Sequence, residues 1–281
     1  LLPHLISILK FSSTVYIKSN TATISDLSFG VLPANSLIYV VSKEMKDKFE
    51  ATIYKYSGDR TTIYYPPKVS THPANQTVTY PATATFTVAA TAGVPAGVNY
   101  QWQVSTDGGT TWSDISGATS TSYTTPATTV AMSGYQYRCV LSSSEYPNSV
   151  LTLNDISGDT ISNAATLTVN GKNASTFTIT VTLPSGGYTY DGTQKKPTVT
   201  VKDGSTTLVE GTSYTVAYGE NIHAGATSGS VTVTGIGNYT GTQTVNFEIK
   251  KVVPTITLSA TSGTVNFNAT NSFTATTKFL R

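Results

Sequence analysis

The sequence predicts an all-β protein, a tandem of small β-sandwiches preceded by a partial repeat with one short helix. Three observations carry that expectation. Charged residues make up 11% of the 281 residues, less than half of the roughly 25% usual in soluble domains. Thr supplies about one residue in five, and Tyr outnumbers Phe 17 to 9, a bias toward strands with one wet face. Short runs alternating apolar and hydroxyl residues recur between Gly-, Pro- and Asn-containing turns, as in Val231-Thr232-Val233-Thr234. A period of two buries one face of a strand and leaves the other in water.

The same composition excludes several function classes. Lys and Arg exceed Asp and Glu by 17 to 15, and no basic run is longer than two residues, which leaves no clustered charge for nucleic acid. Three His and one Cys leave little material for a metal site or a nucleophile–base relay, so neither cofactor nor catalysis is expected. The apolar opening Leu1-Leu2-Pro3-His4-Leu5-Ile6 lacks a cationic flank and is too short to cross a bilayer. No membrane insertion is expected within these residues. Leu1 is not an initiator, and Thr255-Ile256-Thr257-Leu258 opens a new strand close to the C-terminus. The expectation is a segment of a longer protein, and a monomer.

Turn spacing divides the chain into four pieces, 1–67, 68–170, 171–251 and 252–281. Boundaries fall at Tyr65-Pro66-Pro67-Lys68, at Asn170-Gly171-Lys172-Asn173 and at Lys250-Lys251 before Val253-Pro254. Linkers this short predict stiffly joined units.

The first piece holds the one expected helix. Ser42 stands where it can cap Lys43-Glu44-Met45, and Met45 and Phe49 share a helical face. Two apolar strands, Val15-Tyr16-Ile17 and Leu37-Ile38-Tyr39-Val40, precede it at a spacing within the 20–29 residues of leucine-rich repeats. Between them lies Ile24-Ser25-Asp26-Leu27-Ser28-Phe29. Residues 12–57 resemble the end of a BspA-like leucine-rich-repeat solenoid of bacterial surface proteins. The resemblance implies a C-terminal cap, because one or two repeats cannot bury their own faces.

In the second piece Phe86-Thr87-Val88 alternates as a core strand. Tyr100-Gln101-Trp102-Gln103-Val104 follows, ending at the tight-turn signal Asp107-Gly108-Gly109, with Trp112 returning on a paired strand. Tyr123 marks another strand, and Tyr135-Gln136-Tyr137-Arg138-Cys139-Val140 closes the pattern. Trp on one strand and Tyr-x-Cys on a later one form the immunoglobulin-fold signature, and residues 72–169 resemble bacterial immunoglobulin-like modules. That resemblance puts Tyr137 in the tyrosine-corner position and Val88 where the partner cysteine would stand. Cys139 is then an inert core thiol packed against Trp102 and Val88, without the roughly 2–4 kcal/mol of a disulfide.

The third piece carries Tyr188-Thr189-Tyr190-Asp191-Gly192-Thr193 near its start and Gly235-Ile236-Gly237-Asn238-Tyr239-Thr240-Gly241 near its end. Residues 177–250 resemble the YDG/MBG-type immunoglobulin-like repeat of bacterial adhesins. That family implies an extracellular module with no catalytic residue.

Other chemistry reads weakly. The glycine run at 235–241 is one residue off a dinucleotide fingerprint and is flanked by strands where a helix start is needed. Asp155, Ser157 and Asp159 alternate like calcium ligands, yet Thr160 and Thr166 stand where an EF-hand wants Gly and Glu. His4, His72 and His223 fall in three different pieces. Sequons begin at Asn75, Asn173, Asn238 and Asn268, and Asp159-Thr160-Ile161 fits a short bacterial O-glycosylation pattern. Tyr54, Tyr56, Tyr64 and Tyr65 form the densest aromatic stretch, suited to carbohydrate or protein contact or to packing between the repeat cap and the first sandwich.

Together these features point to a non-catalytic segment of an exported bacterial cell-surface protein of adhesin type, or a secreted one. Its immunoglobulin-like modules would act as stalk or as recognition units for a host or matrix protein or glycan. An accessory glycan-binding region of a surface polysaccharide hydrolase and a purely structural spacer are the alternatives.

Overall fold

The computed structural model describes residues 14–17, 37–40, 43–47, 62–94, 96–144, 160–253, 255–258 and 275–278. The chain divides into two compact units that meet between Asn170 and Gly171.

Unit 1 opens with three parallel strands, β1 (Thr14–Ile17), β2 (Leu37–Val40) and β3 (Thr62–Tyr64). Thr14 pairs with Leu37 and Leu37 with Thr62. The parallel sense requires a crossover of a dozen or more residues between neighbours. Helix α1 (residues 43–47) follows β2. Ile38, Val40 and Met45 are buried, and Lys43 pairs with Asp47 one turn on, at 2.6 Å, in solvent. Ser42 and Phe49 lie outside the described residues.

The Tyr65-Pro66-Pro67 junction is joined to the sandwich that follows. Tyr65 and Val94 exchange backbone hydrogen bonds of 3.3 and 3.0 Å, and Pro66 and Pro67 are buried. Gly93 permits the approach, because a methyl group there would stand 2.6 Å from the Pro66 carbonyl carbon.

The sandwich comprises β4 (Lys68–Thr71), β5 (Gln76–Thr79), β6 (Thr85–Thr87), β7 (Ala89–Thr91), β8 (Asn99–Ser105), β9 (Ser113–Asp114), β10 (Ser122–Thr124), β11 (Gln136–Ser142) and β12 (Ala165–Asn170). β6 and β7 run on from each other through Val88, and they pair with β10 and β4 respectively. The facing sheet has the order β5-β12-β11-β8-β9, with β5 parallel to β12. Two sheets in this order, with the first strand switching to lie beside the last, form an immunoglobulin-like sandwich. The inward rows alternate with polar ones, so the buried set is Phe86, Val88, Trp102, Tyr137, Cys139, Leu141, Ala165, Leu167 and Val169, with Val69 and Ala84 at its margin.

Unit 2 holds β13 (Lys172–Asn173), β14 (Thr178–Thr182), β15 (Tyr188–Thr189), β16 (Thr198–Asp203), β17 (Thr206–Thr207), β18 (Tyr214–Tyr218), β19 (Gly225–Gly235), β20 (Tyr239–Thr240) and β21 (Thr242–Lys250). A three-stranded sheet β14-β16-β17 and a four-stranded sheet β15-β21-β19-β18 supply the layers. Val201, Leu208, Tyr214, Val231, Val233, Phe247 and Ile249 fill the core. Asp203-Gly204 turns β16 into β17 with Gly204 at φ 57°, the left-handed backbone such a two-residue hairpin needs at its first central position. β22 (Thr255–Leu258) and β23 (Ala275–Lys278) form an antiparallel pair in the last piece.

Candidate functional site

The signature residues of the first sandwich form its centre. Cys139 on β11 is the register partner of Trp102 on β8, and both are fully buried. The Trp102 indole N–H donates to the Ser120 carbonyl at 2.9 Å, and the Cys139 N–H donates to Ser162 Oγ at 2.9 Å, so no polar group is stranded. Tyr137 departs from a tyrosine corner. Its hydroxyl makes no hydrogen bond among the described residues. Instead the ring stacks between Phe86 (4.6 Å) and Tyr123 (5.6 Å), and phenol burial is offset by aromatic packing, worth about 0.5–1.5 kcal/mol per pair beyond area.

Burial pushes the Cys139 thiol up from 9.0 to about 11 and the Tyr137 phenol, with help from Tyr123 and Tyr135, from 10.0 to about 12. Both groups hold their protons more tightly folded than unfolded. The stability they lend is complete below the unfolded values and is lost as pH rises through the folded ones. The urea midpoint of unit 1 is therefore expected to hold to about pH 9 and fall beyond it. In Cys139→Val the fall should begin one unit later, where the phenols of Tyr137 and Tyr123, both raised by burial, take over. A midpoint flat to pH 11 in the parent protein would contradict both shifts.

Of the tyrosine cluster, Tyr54 and Tyr56 lie outside the described residues. Tyr64 ends β3 and Tyr65 forms the bridge to Val94, each half-buried. His4, Asp155, Ser157, Asp159 and Asn268 also lie outside them. His72 is exposed and its Nδ1 accepts the Asn163 N–H at 3.0 Å; His223 is exposed near Glu220. Thr160 is fully buried, which removes the hydroxyl of the O-glycosylation pattern from the surface. Asn75 and Asn173 spend their side-chain oxygens on the N–H groups of Thr166 and Ser175. Among the described residues no three His, Cys, Asp or Glu stand together as metal ligands, and no helix is long and apolar enough to cross a membrane.

In unit 2 the Tyr-Asp-Gly motif builds a local brace. The Asp191 carboxylate accepts from the Thr193 N–H (2.8 Å) and hydroxyl (2.7 Å) and pairs with Lys195. These contacts, the Lys195 ammonium foremost, hold its carboxyl well below the usual range. Lys195 is 6% exposed, and its ammonium also reaches Thr193 Oγ1 at 3.0 Å. The glycine run 235–241 is a turn, closed by Tyr239 N–H donating to the Ile236 carbonyl at 3.1 Å, with Gly237 at φ 65°. Tyr239 packs edge-on against Phe177 at 5.0 Å.

The arrangement that sequence reasoning missed is on the outward face of the five-stranded sheet. Arg138 points away from the core between the inward Tyr137 and Cys139. Its guanidinium lies 4.1 Å from the centre of the Trp112 ring, and its Nε–H donates to Gln103 Oε1 at 2.8 Å. Gln103 Nε2 in turn donates to Asp114 Oδ1 at 2.8 Å. Trp112 precedes β9, folded back so that its indole N–H donates to the Gly109 carbonyl at 3.1 Å. The turn that aims it is fixed by Asp107, whose carboxyl is brought down to about 2 by the Thr111 hydroxyl and N–H and by Ser105. Gln136 shares the spot, since a methyl group on Gly109 would lie 2.8 Å from Gln136 Oε1 and 3.9 Å from the Trp112 ring. Burial lowers the Arg138 guanidinium below its ordinary value, the direction expected of a cation partly withdrawn from water without a counter-charge.

The family described as "Domain of unknown function (DUF8696)" matches residues 68–171, the first sandwich. No curated protein matches the chain. Among solved structures, the chain is similar to an I-band fragment of titin at 12% identity, covering 67% of this chain and 66% of that one with a TM-score of 0.29. It is similar to the N-terminal four Ig domains of Dscam1 isoform 6.9 at 13% identity, covering 70% and 50% with a TM-score of 0.37. For isoform 6.44 the values are 14%, 69%, 49% and 0.34. The chain thus spans about half to two thirds of the length of these proteins. The sandwich assignment rests on strand order and register, not on these likenesses.

Proposed function

We propose that the chain is a non-catalytic, modular segment of an exported bacterial surface protein of adhesin type, with its immunoglobulin-like sandwiches serving chiefly as a stalk. The observation that carries this reading is the character of the sheet faces. Outward positions are filled by hydroxyl and amide side chains, as in the exposed Thr178, Thr180 and Thr182 of β14 and Thr242, Thr244 and Asn246 of β21. Threonine pairs bridge strands at Thr85–Thr124 (2.8 Å) and Thr232–Thr244 (2.9 Å). Large apolar side chains exposed among the described residues are Tyr190, Val209 and Val253, which do not form the contiguous apolar patch of an obligate interface. Tyr190 is the one aromatic among these exposed side chains, short of the aromatic row a glycan-binding hydrolase accessory would present.

Strand order supports a load-bearing role. In the first sandwich β5, its second strand, lies parallel to the closing strand β12 over four residue pairs. Tension between β5 and β12 is met along the strands, so several ladder bonds share it. Parallel β1, β2 and β3, with register steps of 23 and 25 residues, support reading the first piece as the end of a leucine-rich-repeat solenoid. The Asp191 brace and buried Tyr239 give the two motifs of unit 2 structural roles, in keeping with a YDG/MBG-type module. An antibody raised against the chain is expected to label intact cells of the producing bacterium, and protease treatment of those cells should release its peptides. Labelling only after lysis would overturn the surface assignment.

A further inference from the structure

We infer that the Arg138–Trp112 shelf on the outward face of the first sandwich binds the carboxylate of an acidic sugar in a polysaccharide. This goes beyond the stalk reading and does not depend on where the protein resides.

Arg138 is the one arginine among the described residues, and it is committed to an unusual setting. Its Nε–H is taken by Gln103 and its plane is held against Trp112, so the fork cannot swing away. Its terminal N–H groups make no hydrogen bond or ion pair among the described residues. A guanidinium presents its donors in a planar fork that matches a carboxylate two-on-two. Here the fork is immobilised before any ligand arrives, which removes much of the ordering cost of binding. The nearby carboxylates are already engaged: Asp114 accepts from Gln103, and Asp107 is consumed by Ser105 and Thr111.

The surroundings favour a sugar over an acidic peptide. Gln136 lies beside Trp112 at Gly109, and its amide makes no hydrogen bond among the described residues, leaving donor and acceptor for hydroxyl groups. Thr166 on β12 is the register partner of Gln136 and continues the row with a hydroxyl. Beside the cation, Gln103, Gln136 and Thr166 supply a row of amide and hydroxyl side chains along neighbouring strands. Amide and hydroxyl rows flanking one cation fit a hydroxyl-rich chain carrying one carboxylate per ring.

The test titrates the whole chain with polygalacturonate, with the same polymer methyl-esterified, and with poly-glutamate, following Trp fluorescence and calorimetry at fixed ionic strength. Polygalacturonate is expected to bind saturably and the esterified polymer not to bind. Arg138→Lys keeps the charge but loses the fork, and should weaken binding roughly ten- to a hundredfold, the range of a charged hydrogen-bonded pair. Gln136→Ala removes a side chain with no hydrogen bond among the described residues; with the melting temperature of the parent retained, it should weaken binding about three- to tenfold. Equal binding of esterified and free polymer, equal binding of poly-glutamate, indifference to both substitutions, or no binding would each overturn the inference.

Discussion

Gly229→Ala is expected to destabilise unit 2 by about 1–3 kcal/mol or more, the range for overpacking a filled core. For a unit this size that is a fall in melting temperature on the order of 10 °C. The direction is the informative part. Glycine inside a strand is ordinarily a liability, and replacing it with alanine should gain about 0.5–1 kcal/mol. Here Gly229 on β19 is the register partner of Phe247 on β21, and the Phe247 ring lies directly over it. A methyl group at Gly229 would stand 2.5 Å from Phe247 Cζ and 2.6 Å from Cδ2, well inside the roughly 3.5–4.0 Å of a comfortable carbon contact. The ring cannot swing outward cheaply. It is 7% exposed and packs against Tyr188 at 5.9 Å. The register also shifts between Gly225 and Gly229, so the strand is already irregular where the ring crosses it. A double-mutant cycle isolates the cause. On a Phe247→Ala background the added methyl should cost little or even stabilise, giving an interaction of about 1–3 kcal/mol. An equal loss with and without the ring would place the cost in the backbone and sink the explanation.

The contrast between what the sequence showed and what it hid follows from the range of the interactions. Trp102 and Cys139 were legible through the resemblance of residues 72–169 to immunoglobulin-like modules, which implies a core position for both; they are fully buried register partners. The turn at Asp107 was legible because its residues carry their own geometry. Tyr137 is buried as a core-signature residue, but Tyr-x-Cys spacing says which way the ring points, not what its hydroxyl meets. That depends on Phe86 and Tyr123, on two other strands. The Tyr65-Pro66-Pro67 segment looked like a linker because proline disfavours regular structure. Its tie to Val94 depends on the absence of a side chain at Gly93, 26 positions after Pro67. Arg138 was hidden for a related reason. Within β11 it is simply the polar residue between two buried ones, and its stacking partner arrives from a turn that folds back across β8 and β9. The one available signal was compositional: arginine is rare here, and this one sits mid-strand.

Asn221→Ala is expected to cost more than Gly229→Ala, about 3–5 kcal/mol when its separate losses are combined. Asn221 is 2% exposed in the segment between β18 and β19, and nothing in its neighbours announces a role. Its side chain joins two distant stretches. Nδ2 donates to the Lys195 carbonyl and to the Ser230 carbonyl, each at 3.0 Å, and Oδ1 accepts the Ser230 N–H at 2.8 Å. Its own carbonyl accepts the Lys195 N–H at 3.0 Å. The residue therefore anchors the backbone beneath the Asp191–Lys195 brace to the central strand of the sheet. It does so at φ 50°, left-handed backbone that costs an ordinary residue about 1–2 kcal/mol and that asparagine tolerates better than most. Alanine incurs both losses: strained backbone, and buried partners left without bonds at about 1–3 kcal/mol for each group stranded. Glycine escapes the strain, since it adopts positive φ freely, and gives back only about 0.5–1 kcal/mol of that gain in backbone entropy. Asn221→Gly should therefore sit between the parent and Asn221→Ala, about 1 kcal/mol above the latter. Asn221→Asp keeps the acceptor for the Ser230 N–H but turns an oxygen toward two carbonyls, so it should recover little. Urea midpoints of the three variants decide the matter. Glycine and alanine falling together would mean that the strain at this position does not exceed the entropic cost of glycine, about 0.5–1 kcal/mol. Aspartate matching the parent would mean that the two donated bonds do not hold the brace.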